Sequence, residues 1–111
     1  MERQPSTELI QALNDTLRIK HTGGRTMITA GIRALPPDTV AQILQAVTNF
    51  DSFNADNDPH GEHDFGRIEV AGETVFFKID YYNSDMTAGS EDPSDPTQTT
   101  RVLLIMRADE Y

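Results

Sequence analysis

Two stretches rich in β-forming residues, Phe65–Val70 and Glu73–Tyr82, are separated only by Ala71 and Gly72. A link this short forces the two strands to run antiparallel as neighbours, because a parallel return needs a crossover of a dozen or more residues. The middle of the chain is therefore a β-hairpin with a tight turn at Ala71-Gly72. Residues 101–108 read as a further and final strand. Between hairpin and final strand, residues 84–99 are rich in Ser, Thr, Asp, Pro and Gly, with Pro93 and Pro96 among them. That composition predicts a long, mobile, acidic loop.

The first half carries helical spacing. Leu9, Ile10, Leu13 and Leu17 form a helical stripe, with Ser6 or Thr7 available as N-cap, and Gly23-Gly24 ends the segment. Residues 26–34 are β-rich at their start and read as a first strand. Leu35-Pro36-Pro37-Asp38 marks a break and a helix start, since proline suits the first helical turn. Val40, Ile43, Leu44, Val47 and Phe50 then make the clearest amphipathic helix in the chain. The order α-β-α-β-β-β predicts an α+β fold in a single domain, residues 1–111. Its sheet is a four-stranded antiparallel or mixed one with two helices packed on one face.

Alternation along the strands assigns faces. On the hairpin's second strand, Val75, Phe77, Ile79 and Tyr81 are expected to face the helices, leaving Phe76, Lys78, Asp80 and Tyr82 outside. On the last strand the uninterrupted apolar set Val102, Leu104, Met106 and Ala108 is expected inside, with Arg101, Leu103, Ile105 and Arg107 outside. An outer face carrying Phe76, Leu103 and Ile105 would need a cover, supplied by a homodimer partner, another protein or the folded-back 84–99 loop.

One domain of 111 residues can bury roughly two-thirds of the surface its unfolded chain exposes, so no covalent staple is required. None is available, because the chain lacks cysteine, which also excludes thiolate metal sites and cysteine nucleophiles. No apolar run approaches the ~20 residues of a membrane-spanning helix. Residues 1–7 are polar and lack the apolar core of a signal peptide, so a reducing cytoplasm is the expected compartment.

The net charge of −9 is unevenly spread. Residues 1–50 hold five Lys or Arg and four acids, a net +1, whereas residues 51–111 hold four basic residues and fourteen acids, a net −10. The second half repels nucleic acid and anionic membranes, so neither is an expected direct partner, and a basic protein surface is.

The densest cluster of functional groups is the run from Asn57 to Gly66, which holds Asp58, His60, Glu62, His63 and Asp64, with Asp56 just before it. Imidazoles and carboxylates together suit a divalent metal or acid–base chemistry. The start of a calcium loop is visible in Asp56, Asp58 and Gly61, but His60 and Arg67 stand where oxygen ligands belong. Asp58, His60 and His63 are candidate metal ligands; a third close donor would otherwise come from Asp64, Asp80 or distant His21. The competing reading, which ranks first, is a turn shaped by Asp58-Pro59 and Gly61, with His63 and Asp64 bonding loop backbone. A second cluster, Lys78 to Tyr82, places Lys78 and Asp80 on one strand face, where a surface ion pair is favoured over acid–base work. Candidate binding residues are thus Asp58, His60, Glu62, His63, Asp64, Lys78, Asp80, Tyr82 and Arg101. Gly23-Gly24-Arg25-Thr26 follows a helix rather than a strand, so it makes a weak phosphate loop, and no G-x-S-x-G element is present.

The runs N-D-P-H-G-E-H-D-F-G (57–66), F-K-I-D-Y-Y (77–82), D-P-S-D-P (92–96) and T-R-V-L-L-I-M-R-A-D-E-Y (100–111) resemble an uncharacterised bacterial family, domain-of-unknown-function family 3768. L-N-D-T-L-R at 13–18, the Gly23-Gly24-Arg25 turn, I-T-A-G-I at 28–32 and A-L-P at 34–36 are similar too. The resemblance brings no activity, substrate or catalytic residue. It implies a small stand-alone bacterial protein of the kind often encoded near mobile elements, and hence a role in element maintenance or in countering host defence.

Two functions follow as expectations. One is an acidic protein-binding inhibitor or adaptor that docks on a basic surface; strict mimicry of DNA is disfavoured, because many of the acids sit on one loop. The other is a small metal-dependent or acid–base enzyme centred on residues 57–66, with loop 84–99 as a lid. The binding reading ranks first, with no cofactor as the simplest expectation and a divalent metal as the alternative.

Overall fold

The computed structural model describes residues 5–111, so the reading of residues 1–7 as a polar start without a leader falls, for residues 1–4, outside the described residues. In chain order the elements are helix α1 (Pro5–Lys20), strand β1 (Arg25–Ile28), a one-turn helix α2 (Ala30–Arg33) and helix α3 (Pro37–Asn49). Strands β2 (Phe65–Val70), β3 (Glu73–Tyr82) and β4 (Thr100–Arg107) follow, and a 3-10 turn (Ala108–Glu110) ends the chain. Among the described residues, no helix is long and apolar enough to cross a membrane.

Ala71 and Gly72 both take positive φ, 52° and 78°, the signature of a two-residue turn whose twist matches that of the flanking strands. The hairpin it closes pairs Val70 with Glu73 and Phe65 with Lys78. β4 adds antiparallel to the far side of β3, and β1 adds parallel to β4, giving a mixed sheet in the order β1-β4-β3-β2. Opposite the hairpin turn, at the other end of β3, the chain leaves into the 84–99 loop and returns as β4.

The core lies on one face of this sheet. Val75, Phe77 and Ile79 of β3 and Leu103 and Ile105 of β4 meet Leu17 of α1, Ile32 of α2, and Ile43 and Val47 of α3. Gly66 makes room in this layer, because a Cβ there would run into the Phe77 ring and lie 3.0 Å from that of Phe50.

Three sequence expectations are corrected here. The stretch 26–34 is a strand only as far as Ile28. Thr29 then caps α2, its hydroxyl accepting from the Ile32 amide at 3.4 Å, while the Glu110 carboxylate receives the Gly31 amide at 3.0 Å. Second, the facing of β4 is the reverse of that expected: Arg101, Leu103 and Ile105 point to the helices, and Val102, Leu104 and Met106 point away. The central position of β4 makes both its faces apolar, so alternation within the strand cannot choose, and the choice falls to register. Phe77 opposes Ile105 and Ile79 opposes Leu103. With Leu103 and Ile105 inside, the outer face carries Phe65, Phe76 and Tyr111 in mutual ring contact beside Val102, Leu104 and Met106. Third, Leu9 stands in solvent at 56% exposure, and the buried side of α1 is Ile10, Asn14, Leu17 and Arg18.

Candidate functional site: a buried polar network

The four buried polar side chains of the described residues, Asn14, Arg18, Asp58 and Arg101, belong to one region where α1 meets the 54–64 connection and the open ends of β3 and β4. Burying such groups is costly unless each finds partners, so their pairing shows how the region is organised.

Asp58 builds the connection. Its side-chain oxygen accepts from the Glu62 and His63 amides at 2.9 and 3.1 Å, and its carbonyl accepts from Gly61 at 3.1 Å. Upstream, the Asn54 side chain closes a similar turn on the amides of Asp56 and Asn57. Helix α1 holds the tip from outside: Gln11 donates to the Gly61 carbonyl at 2.8 Å and Asn14 to the Glu62 carbonyl at 3.0 Å. The turn drives His63 to a φ of 57°, a conformation that side-chain-bearing residues rarely adopt. Held there, the His63 ring stacks on Phe53 at 4.0 Å, donates from Nδ1 to the Asp15 carboxylate at 2.9 Å, and presents Nε2 3.8 Å from the Asp58 carboxylate.

Glu62 points the other way. The Tyr81 hydroxyl donates to its carboxylate at 2.7 Å and accepts from Asn14 at 2.8 Å, while Asn14 accepts from Arg101 Nε at 2.7 Å. The Arg101 guanidinium lies over the Tyr81 ring and also donates to the Pro93 carbonyl, tying the 84–99 loop to the network. Burial, reinforced by the Glu62 contact, holds the Tyr81 phenol far above its usual range, so it stays protonated. Burial lowers the Arg101 pKa, though an arginine remains charged. Asp64 is raised, first by burial and then by the neighbouring Glu62 charge.

Arg18 serves the end of α3. It donates to the carbonyls of Val47, Thr48 and Phe50 at 2.7–3.1 Å, where a helix leaves acceptors unpaired, and reaches Asp15 at 3.2 Å. Its guanidinium lies over the rings of Phe53 and Phe77, and its Nε is buried without a partner among the described residues. Beside it, Asp15, Phe53, His63 and Asp51 line an open cleft of about 380 Å³.

Of the sequence candidates, Asp58, Glu62, His63 and Arg101 come together in this network, and Asp64 lies at its edge. His60 is exposed, and among the described residues no three His, Asp or Glu side chains are grouped to hold a metal ion, the set Asp58, His60 and His63 included. Lys78, Asp80 and Tyr82 lie on the opposite face of the sheet. There Lys78 and Asp80 form the expected ion pair at 3.0 Å, and the Asp80 partner raises the Lys78 pKa, the wrong direction for a general base. Arg101, expected on that outer face, is buried on the inner one. The network members that sequence reasoning missed are Gln11, Asn14, Asp15, Arg18, Phe53 and Tyr81. A signal existed for two of them: Asn14 and Arg18 sit on the helical stripe shared with Ile10 and Leu17, where a polar side chain implies a buried partner.

The fold and network define a small α+β domain whose long connections are anchored by a buried arginine, a buried asparagine and a half-buried tyrosine. Residues 28–110 match the model of the family described as Protein of unknown function (DUF3768), and the chain belongs to that family. Neither the curated proteins nor the solved structures contain a match to it.

Proposed function

We propose that this chain is a protein-binding inhibitor or adaptor that docks its acidic 84–99 side on a basic partner surface. One observation carries the reading. Among the described residues, no ion pair uses the carboxylate of Asp85, Glu91, Asp92 or Asp95, and no Lys or Arg lies between residues 84 and 99. The basic residues of the second half are spent elsewhere: Arg67 on Glu69, Lys78 on Asp80, Arg107 on Glu73, and Arg101 in the buried network.

Three of these four carboxylates are also held in place. Asp85 accepts from Thr87, Asp92 from Ser94, and Asp95 from the amide and hydroxyl of Thr97 and from Gln98. The bonds to Thr97 and Gln98 lower the Asp95 pKa, keeping it charged. Charge fixed before binding steers a basic partner and costs less ordering on contact. By contrast, Asp58, Glu62 and His63 of the 57–66 cluster are engaged with the fold itself, which supports binding over catalysis.

The test is capture of a partner on the immobilised full chain, repeated with Asp85→Asn, Glu91→Gln, Asp92→Asn and Asp95→Asn combined. Asparagine keeps the acceptor that closes each turn, so shape survives while charge is removed. The expected outcome is a partner whose affinity falls at least tenfold from low to moderate salt and at least tenfold in the neutralised variant. A partner held equally well in both comparisons would overturn the proposal.

A further inference from the structure

Strand β2 is one edge of the sheet, and its side away from β3 carries no strand. The Ile79 amide donates to the Asp64 carbonyl at 2.9 Å, which fixes the phase of the β2–β3 ladder. In an antiparallel pair, alternate residues turn their backbone groups to the partner strand. Gly66, Ile68 and Val70 therefore bond to Phe77, Val75 and Glu73, while Arg67 and Glu69 turn their N–H and C=O groups outward. Among the described residues, no other backbone group reaches these donors and acceptors, and the two side chains bond only to each other and to Thr74. Those side chains are 65% and 62% exposed, so the edge is open to solvent. Such an edge is a template for one more strand.

The charges on the edge point to its occupant and set the register. Suppose the added strand is β2 of a second copy, running antiparallel about a two-fold axis normal to the sheet. A register centred on Arg67 sets arginine against arginine, and one centred on Glu69 sets glutamate against glutamate, both unfavourable. The register centred between them, on Ile68, sets Arg67 opposite Glu69 of the second copy and Glu69 opposite its Arg67. Directly opposed residues share a sheet face, so each guanidinium meets a carboxylate, and each pair exchanges both backbone hydrogen bonds. Arg67 and Glu69 already pair within one strand at 2.9 Å, so the axis closes them into a ring of alternating charge. On the helix-bearing face Ile68 meets its own copy, and half-buried Val70 faces Gly66, a large residue opposite one without a side chain. Copies of a −9 chain repel one another, but at physiological ionic strength charges are screened within about 8 Å, whereas the opposed pairs are in contact.

We infer that β2 is a self-pairing edge: two copies of the chain join antiparallel across Ile68, with Arg67 and Glu69 exchanged, and their two four-stranded sheets become one. A single strand pair is a small interface, so the association is weak and concentration-dependent.

Sedimentation equilibrium of the full chain at physiological salt, from about 5 μM to about 1 mM, tests it, a range that covers weak association. The mass should rise towards that of a dimer. Arg67→Pro removes an N–H that β3 does not use, where an edge strand accepts proline. It should raise the dissociation constant at least tenfold with an unchanged circular dichroism spectrum. Arg67→Glu or Glu69→Arg alone sets like charges opposite and should weaken pairing at least tenfold, and the two together should restore it. These charge variants leave the backbone intact and decide independently of the proline. Because the chain has no cysteine, mixing an Arg67→Cys chain with a Glu69→Cys chain should give a mixed disulfide in preference to either self-linked product. Opposed residues lie about 5.5 Å apart at Cα, within disulfide reach, and the like pairs do not. A monomer throughout the range, which would leave this edge to another protein's strand, would overturn the inference. So would a dimer indifferent to Arg67→Pro, or a charge exchange that fails to restore pairing. Failure here is separable from failure of the binding proposal, since the loop-neutralised variant should self-associate at least as readily as the wild type.

Discussion

Residues 54–64 and 84–99 are built from the same materials, yet they behave as opposite kinds of loop. Both contain several Asp, joined by Asn in the first, whose side chains accept from amides a few residues on, and both contain proline and glycine. In the first, those local turns are embedded in long-range bonds: Gln11 and Asn14 grip its carbonyls, Asp15 grips His63, and Tyr81 grips Glu62. In the second, most bonds stay within the loop, and its side-chain tie to the core runs from Arg101 to the Pro93 carbonyl. Local turn chemistry therefore sets the shape of a loop, and the element it happens to pack against sets whether that shape is buried or displayed.

Removing the residue that serves both loops should have the largest effect. Arg101→Met keeps the bulk of the side chain but orphans Asn14 and the Pro93 carbonyl. Denaturant unfolding should show a loss of about 3 kcal/mol, the scale for breaking a buried charged hydrogen-bonding group. Limited proteolysis of this variant should also cut within 84–99 faster than in the wild type, while a cleavage rate that stays the same would mean that the loop does not depend on its anchor.

A smaller effect should separate the two loops directly. Asp58→Ala strips acceptors from two amides in a half-buried turn and should cost about 2 kcal/mol. Asp95→Ala removes a comparable set of turn bonds in the displayed loop, where water replaces them, and should leave the unfolding midpoint in place. Equal losses at the two positions would erase the distinction between embedded and displayed turns.

Asp64 gives the smallest and most pH-sensitive test. Its pKa is raised in the folded state by burial and by Glu62, so the folded protein binds this proton more tightly than the unfolded chain does. The stability linked to it is fully present below the unfolded value of 3.8 and is lost as pH rises through the higher folded value. Asp64→Asn should therefore stabilise the protein at neutral pH, by less than about 1 kcal/mol given the group's partial exposure. The gain should fade as pH falls through the folded pKa, and thermal melts at several pH values would read it. A variant less stable than wild type at neutral pH would mean that the Asp64 carboxylate is paired rather than penalised.

What the amino-acid sequence determined by itself is local. The Ala71-Gly72 turn, the proline-led start of α3, the inward set Val75, Phe77, Ile79 and Tyr81, and the turn around Asp58 were all legible, because each rests on spacing or on backbone preferences within a few residues. The Lys78–Asp80 pair was legible for the same reason, being two residues apart on one strand. Only the tertiary structure decided which face of β4 is inner, since an apolar central strand looks alike from both sides and its register against β3 and β1 makes the choice. It also decided that 30–33 is helical, through a carboxylate at Glu110 some eighty residues away. The network joining Asn14, Asp15, Glu62, His63, Tyr81 and Arg101 belongs to the same class. Its members are scattered along the chain, and no periodicity links a residue on α1 to a tyrosine near the end of β3 until packing brings them within hydrogen-bonding reach.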